Sequence, residues 1–279
     1  MKWRGRRGSR NIEDRRRMRA GKSGGVGSVG VLIILAIGYF FGVDVTPLLQ
    51  GGGGGQQVTQ TTELTEADRA AGQFVSVTLA DTEEIWTDIF REQLGRQYDP
   101  ATLVLFKGVT QSPCGGARGA TGPFYCPADK KAYLDTAFFT TMEQKMGAGG
   151  DFAAAYVVAH EVAHHVQNEL GLLQSMRQTR EDANRQSVRI ELMADCFSGV
   201  WARMAQSRFG SIERGDIQEA MNAAKQIGDD MIQRSSGRIP NPHTYTHGTS
   251  EQRMTWFARG VETGDINACD TREIAYAQL

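Results

Sequence analysis

The sequence predicts an α+β fold that is mostly helical and contains a small β-sheet. Apolar residues recur at helical spacing over the long stretch 65–98, which favours helices at the start of the folded part. A β-branched run at 101–110 that closes at a glycine predicts a short strand. Residues 122–143 predict a hairpin or strand pair that leads into a short helix. From residue 151 the pattern is helical again, over about 151–170, 180–207 and 214–234.

Charge divides the chain unevenly, although the whole chain has a net charge of only −1. Residues 1–22 contain ten Lys or Arg and two acids, so the remainder is acidic. Residues 26–43 carry no charge, and a helix of that length spans roughly 27 Å, close to the hydrocarbon core of a bilayer. With the positive-inside rule, this order predicts a cytoplasmic basic tail over 1–25, a transmembrane helix over 26–43 and an extracytoplasmic domain.

Two other interpretations of 26–43 are a cleaved signal peptide and a buried core helix. The apolar run is long for a signal peptide, no clear A-x-A site follows it, and no cysteine follows closely enough for a lipoprotein. The basic tail could bind nucleic-acid phosphate. A basic flank beside a membrane span is more simply an orientation signal, so we expect no nucleic-acid partner. Residues 44–62, with five consecutive glycines, predict a flexible linker before a folded domain at 63–279.

The first helices of this domain have recognisable start signals. Thr65 and Asp68 form a Thr-x-x-Asp capping pattern, and Asp81 and Glu84 repeat it. A following apolar stripe is typical of core packing; it consists of Ile85, Ile89, Phe90 and Leu94. Asp151 is the expected N-cap of the helix that contains most of the histidines.

Three of the five histidines lie within six residues, in the segment 157–171. His160, Glu161 and His164 spell H-E-x-x-H. On a helix, two residues four apart share a face, so both imidazoles can bind one zinc ion. Glu161 would then reach the attacking water as a general base. Small apolar residues before the motif favour a buried helix; a helix with surface or core histidines is the alternative.

A second motif supplies acids with the same spacing. Glu191 and Asp195 lie four apart in an apolar stretch, and buried carboxylates need a partner. Glu191 suits a third zinc ligand. Asp195 could accept a hydrogen bond from the other ring nitrogen of a ligand histidine and so orient the ring. The two acids could also exchange roles, or form an exposed pair on an amphipathic helix.

H-E-x-x-H followed by E-x-x-x-D resembles the gluzincin metallopeptidases. The chain is not similar to the metzincins, because Gln167 and Leu170 stand where those enzymes have glycine and histidine. More closely, the chain resembles the bacterial family of putative neutral zinc metallopeptidases. The segments that carry this resemblance are KWRGRRGSRNIEDRR, the apolar span, PCGG…GPFYCP, YLD, AHEVAHHVQ and ELMADCFSGVWA. The resemblance implies a zincin-like domain, a Zn²⁺ cofactor and hydrolysis of peptides.

The remaining histidines carry weaker signals. The segment 246–253 resembles a pattern of membrane-associated gluzincins, a histidine followed six residues later by arginine, although Gly248 replaces the usual proline. That resemblance implies that His247 stabilises the oxyanion; otherwise it is a loop residue near a helix start. His243 and Tyr245 are weaker candidates for the same role. His165 points about 100° away from His164, so we expect it to support the ligands or to lie at the surface.

Four cysteines without a C-x-x-C pair argue against a cysteine-based zinc site. An extracytoplasmic domain permits disulfides. Cys114 and Cys126 flank a glycine-rich loop that they could close, and Cys196 with Cys269 would tie the C-terminal tail to the second motif. Reduced buried thiols are the alternative.

The sequence therefore predicts a membrane-anchored zinc metallopeptidase, a hydrolase of peptide or protein substrates. Zinc would be held by His160, His164 and Glu191, with Asp195 behind them, Glu161 as the base and His247 as the oxyanion donor. The strand near Tyr133–Asp135 could be the edge along which a substrate lies extended. The alternatives are a non-catalytic zinc-binding protein with a binding or assembly role at the envelope, and a tethered protein without metal.

Overall fold

The computed structural model describes residues 1–17, 63–118, 122–176, 178–179 and 181–279. Within these ranges the chain is a mixture of helices and small sheets in which helix predominates, so the predicted α+β class is confirmed. The predicted transmembrane helix at 26–43 and linker at 44–62 lie outside the described residues. In the part that is described, no helix is long and apolar enough to cross a membrane.

Eight α-helices are present in the described ranges. They are α1 (Glu66–Glu92), α2 (Ala137–Met146), α3 (Asp151–Glu169), α4 (Leu172–Met176), α5 (Ala183–Phe209), α6 (Asp216–Gln226), α7 (Asp229–Ser235) and α8 (Ser250–Thr263). The strands are β1 (Ile12–Asp14), β2 (Thr102–Phe106), β3 (Val109–Ser112), β4 (Gly115–Arg118), β5 (Phe124–Cys126) and β6 (Lys131–Asp135).

The main sheet has the strand order β1-β2-β6-β5. β1, β2 and β6 run parallel, and β5 runs antiparallel to β6. β3 and β4 form a separate antiparallel hairpin. The prediction that the strand of Tyr133 is a sheet edge was therefore wrong. β6 is largely buried on both faces and lies between two strands, whereas β5 forms the edge.

Helix α1 begins at the predicted capping box, in which Thr65 and Asp68 exchange backbone and side-chain hydrogen bonds. The prediction of a second helix start at Asp81 was wrong, because α1 continues unbroken through this residue. Asp81 is buried and pairs with Arg6, so its partner is a distant side chain instead of a helix terminus. Local sequence could not reveal that long-range contact.

Two other helix boundaries differ from the predictions. Helix α3 has Gly150 as its N-cap, with φ of 112°, so Asp151 is the first helical residue. The predicted helix at 214–234 is broken into α6 and α7. The break lies at Gly228, where a Cβ would be 2.4 Å from the backbone nitrogen of Ser250, so this close approach requires glycine.

Helix α3 is the centre of the core and is buried on nearly all sides. It packs against α5, α6 and α1 and touches β5 and β6. Apolar residues all round a helix are typical of such a position. Helix α5 in turn crosses α8 very closely, because Gly199 and Gly260 let the two backbones meet. These contacts hold α3, α5 and α8 in fixed relative positions.

Residues 1–17, called the N-terminal segment from here on, pack on this domain. Met1 and Trp3 are buried, and the Trp3 ring meets Phe74 of α1 edge-on, with ring centroids 5.4 Å apart. The segment contributes β1 to the main sheet. This arrangement differs from the predicted separation of a basic tail from a folded domain that starts at residue 63.

Both predicted disulfides are confirmed. Cys114 is bonded to Cys126 and Cys196 to Cys269, and no free cysteine remains in the chain. The first bond joins the β3–β4 hairpin to β5. The second joins α5 to the C-terminal residues.

Candidate metal centre

The H-E-x-x-H residues lie in the second half of α3, where small neighbours allow close packing. Ala159 and Ala163 are buried beside them, and His160 and Glu161 are themselves buried. A turn of helix separates His160 from His164, so both rings leave the same face, with centroids 4.8 Å apart. The histidine pair therefore faces α5 across the core.

Helix α5 brings Glu191 against both rings. Its Oε2 lies 3.0 Å from His160 Nε2, and its Oε1 lies 3.5 Å from His164 Nε2. The three residues can offer ligand atoms that all lie within 4.8 Å of one another. Two ligands bound tetrahedrally at about 2.0–2.1 Å from zinc are separated by about 3.3 Å. The donor set and its spacing therefore fit a zinc ion with a fourth position left open.

Each histidine is oriented through its other ring nitrogen. His160 Nδ1 lies 2.9 Å from Asp195 Oδ1, and His164 Nδ1 lies 2.9 Å from Gln167 Oε1. Gln167 in turn donates to the backbone oxygen of Ile190 on α5. Donation from Nδ1 to these oxygens leaves both Nε2 atoms free to bind metal.

Asp195 is fully buried and satisfied by three partners. Arg253 of α8 donates to both carboxylate oxygens, from Nε at 2.8 Å and from Nη2 at 2.9 Å. Tyr156, one turn before His160, donates its hydroxyl to Oδ1 at 2.5 Å. Such a bidentate arginine pair fixes a carboxylate in orientation as well as in charge. Asp195 is thus held rigidly behind the His160 ring.

The electrostatics of this buried group favour a cation. Glu161 and Asp195 are buried and Glu191 is mostly so, which brings three carboxyl groups against one permanently charged group, the Arg253 guanidinium, and buried charge requires compensation. Burial alone would lower the pKa of His160, but the Asp195 and Glu191 carboxylates raise it to about 10. Burial would raise the pKa of Glu191, yet the two histidines hold it well below its usual range.

Glu161 stands apart from the hydrogen-bond network. Its Oε2 is buried and has no hydrogen-bond partner. Burial raises the pKa of Glu161 to about 7, although the nearby His160 charge opposes that shift. A buried carboxylate oxygen without a partner, beside a metal-binding group, is suited to hold a water molecule.

His247 lies in the loop before α8 and is half exposed. Asp229 orients it, because its Oδ2 accepts the His247 backbone N–H at 2.7 Å and its Oδ1 lies 3.2 Å from Nδ1. The partly buried position would lower the pKa of His247, but Asp229 raises it. His247 is also close enough to lower the pKa of Glu191. Of the weaker candidates, His243 is exposed and Tyr245 is buried.

His165 does not join the ligand group and is not a surface residue. It is 1% exposed, and its Nε2 donates to the backbone oxygen of Asp99 at 2.7 Å. Nδ1 therefore accepts from the Tyr125 hydroxyl at 3.1 Å. Since Tyr125 belongs to β5, His165 ties the edge strand to α3.

Three residues of the centre were missed from the sequence: Tyr156, Gln167 and Arg253. Tyr156 lies four residues before His160, and Gln167 lies three after His164, so helical spacing offered a signal for both. The sequence marks Arg253 only as the arginine of the 246–253 pattern. Its contact with Asp195 joins residues 58 positions apart, which local spacing does not show.

A second group in the described ranges, Asp151, Asp216 and Glu219, also has ligand atoms close together. Its members already have partners. The Met1 ammonium contacts Asp151 and Asp216, and the Phe152 N–H donates to Glu219. These contacts within the protein explain why the three acids lie close together.

The chain matches the model of the family described as "Putative neutral zinc metallopeptidase" over residues 1–272. It is 44% identical to the uncharacterized protein YpfJ of Escherichia coli strain K12, over 97% of this chain and 98% of that protein. It is 46% identical to the uncharacterized protein Rv2575 of Mycobacterium tuberculosis strain H37Rv, over 62% of this chain and 63% of that protein. No solved structure matches the chain.

Proposed function

Because the chain belongs to the family of putative neutral zinc metallopeptidases, we propose that it hydrolyses peptide bonds with a zinc ion held by His160, His164 and Glu191. One observation carries the proposal: two imidazoles and a carboxylate converge from two helices, and Glu161, the neighbour of His160, has a buried Oε2 without a hydrogen-bond partner. When bound, zinc would polarise the peptide carbonyl and acidify a water.

The chain's own residues would then handle the proton and the charge. Glu161 accepts a proton from the attacking water and returns it to the leaving amine. His247, oriented by Asp229, donates toward the oxygen that gains negative charge. Asp195 and Gln167 keep the two ligand rings in the required tautomer.

The edge strand β5 is the proposed site for the substrate backbone. β5 pairs with β6 on one side only and is tied to α3 through Tyr125 and His165. An extended peptide can add to such an edge through main-chain hydrogen bonds. This position supports a peptide or protein substrate and replaces the earlier assignment to the strand of Tyr133.

The two disulfides favour an oxidising, extracytoplasmic location for the catalytic domain. The proposed catalytic role does not require the membrane anchor predicted at 26–43.

The decisive test compares Glu161→Gln with wild type in metal content and in cleavage of a peptide library. We expect the variant to keep one zinc per chain and to lose about 10²–10⁴-fold in kcat/KM, because Gln cannot accept the proton. Removal of zinc by a chelator should abolish wild-type cleavage, and added zinc should restore it.

Glu251→Gln is the matched control, because Glu251 is exposed on α8 and the same substitution there should leave cleavage unchanged. Equal cleavage by the Glu161→Gln variant and wild type would refute the catalytic role. Zinc binding without cleavage by wild type would favour a non-catalytic zinc protein.

A further inference from the structure

The backbone of the N-terminal segment is bonded to the domain along its whole length. The hydrogen bonds join Lys2 N to Ser211 O (2.8 Å), Ser9 N to Ser76 O (2.9 Å), Leu103 N to Asn11 O (2.9 Å) and Arg15 N to Leu105 O (2.7 Å). They reach α1, β2 and the loop after α5. A tail that only touched the surface would not have its backbone groups satisfied by three separate parts of the domain.

Two arginines of this segment pair with acids of α1. Arg6 contacts Asp81 at 2.6 Å, and Arg7 contacts Glu84 at 2.9 Å. Glu83, which is also buried on α1, accepts hydrogen bonds from Ser9 and from Asn11. Removal of the segment would leave the Asp81 and Glu83 carboxylates without these partners, which is unfavourable for buried acids. The basic residues thus complement an acidic face of α1.

Two glycines allow the N-terminal segment and α1 to pack closely. A Cβ on Gly72, in the interior of α1, would lie 2.5 Å from Arg16 Nη2, so the guanidinium occupies the space of the missing side chain. A Cβ on Gly8 would lie 2.5 Å from Ser76 Oγ. Glycine in the middle of a helix is destabilising, so its presence at position 72 has a packing reason.

From these contacts we infer that the N-terminal segment is an integral part of the catalytic domain, and that both lie on the same side of any membrane. A bilayer cannot then lie between the segment and the domain. A single crossing would separate Arg6 from Asp81 and β1 from β2. This inference replaces the predicted opposite placement of tail and domain, and it does not depend on peptidase activity.

The test is a disulfide between Gly8→Cys and Ser76→Cys in the full chain. A Cβ at position 8 would lie 3.4 Å from the Ser76 Cβ, close to the separation of about 3.5–4.5 Å in disulfides. A specific protease site placed in the glycine run 51–55 cuts the chain between the two cysteines. We expect the two fragments to migrate together on a gel until reductant is added.

The single variants Gly8→Cys and Ser76→Cys, with the same protease site, are the controls and should give separate fragments.

A second measurement does not require a disulfide bond to form. Arg10→Cys and Ser235→Cys are exposed positions in the segment and the domain, and each can be labelled in intact cells with a membrane-impermeant maleimide. Equal labelling or equal protection supports the inference. The inference would be overturned if one position were labelled from outside and the other only after lysis. In the disulfide test, fragments that separate without reductant while both thiols remain free would also overturn it.

Discussion

Asp195 is a single residue on which both the proposed metal affinity and the stability would depend. It accepts hydrogen bonds from His160, Tyr156 and Arg253, and all these contacts are buried. The carboxylate orients His160, the proposed zinc ligand, and at the same time neutralises the buried guanidinium of Arg253. Loss of its charge should therefore affect metal binding and folding together.

We expect Asp195→Asn to weaken zinc binding by about 10–100-fold, because the His160 ring loses its charged partner. The free energy of unfolding should fall by about 3–5 kcal/mol, because Arg253 is left buried without a counter-charge. Competition with a chelator measures the first effect and urea unfolding measures the second. Tyr156→Phe is the control: it removes one hydrogen bond and keeps the charge. If the two variants bound zinc equally, the role assigned to Asp195 would be wrong.

Asp81 gives a pH dependence that can be separated from the metal centre. Burial raises its pKa from 3.8 to about 6 although Arg6 opposes the shift. The folded state therefore binds this proton more tightly than the unfolded chain does. The stability that the group contributes is fully present below pH 3.8 and is lost as the pH rises through about 6.

We expect Asp81→Asn to flatten the dependence of unfolding free energy on pH between about 4 and 6. A pKa difference of about two corresponds to roughly 3 kcal/mol of stability lost by wild type over that range. Urea unfolding at several pH values gives the comparison, with the exposed Glu92→Gln as control. Parallel curves for Asp81→Asn and wild type would show that Asp81 does not titrate in this range.

At the scale of helices, the crossing of α5 and α8 sets the distance between Asp195 and Arg253. A Cβ on Gly199 would lie 2.1 Å from the backbone oxygen of Phe257, and one on Gly260 would lie 1.9 Å from that of Cys196. Backbone atoms in a packed helix cannot move aside as the end of a flexible side chain can. The two glycines are therefore required for the Asp195–Arg253 pairing, which orients the proposed metal ligand His160.

Gly199→Ala should lower the free energy of unfolding by about 3 kcal/mol, because the added methyl forces two packed helices apart. Zinc affinity should fall as well. Gly72→Ala is the contrasting variant: its Cβ meets only the flexible end of Arg16, and alanine favours a helix by about 1 kcal/mol. Thermal unfolding of both variants, with and without zinc, distinguishes a clash between two backbones from a contact with a flexible side chain. Equal destabilisation by both would contradict the close-crossing explanation.

The elements that sequence predicted well are those with local signals. The H-E-x-x-H helix, the Thr65 capping box and the strand pair β5–β6 follow from spacing within a few residues. What sequence missed depends on distant contacts. Asp81 resembled a helix start because its partner Arg6 lies 75 residues away. β6 lies inside the sheet because β2 pairs with it and β1 pairs with β2. No local sequence pattern shows this strand order.

At the scale of the whole molecule, the disulfides close loops of very different length. Cys196 and Cys269 are 73 residues apart, whereas Cys114 and Cys126 are 12 apart. The longer loop gives the larger reduction of unfolded-state entropy. The bonds also lie in different places, since Cys196 follows Asp195 directly and Cys126 ends the edge strand β5. Their removal should therefore have distinguishable functional effects.

Replacement of Cys196 and Cys269 by serine should lower the free energy of unfolding by about 4 kcal/mol and weaken zinc binding, because α5 loses its tie beside Asp195. Replacement of Cys114 and Cys126 should lower it by about 3 kcal/mol and chiefly raise KM for peptides, because the edge strand loses its hairpin support. Urea unfolding, chelator competition and steady-state kinetics on both pairs measure these effects. If zinc affinity fell more in the second pair than in the first, the edge strand, and not α5, would be the element that holds the metal ligands in place.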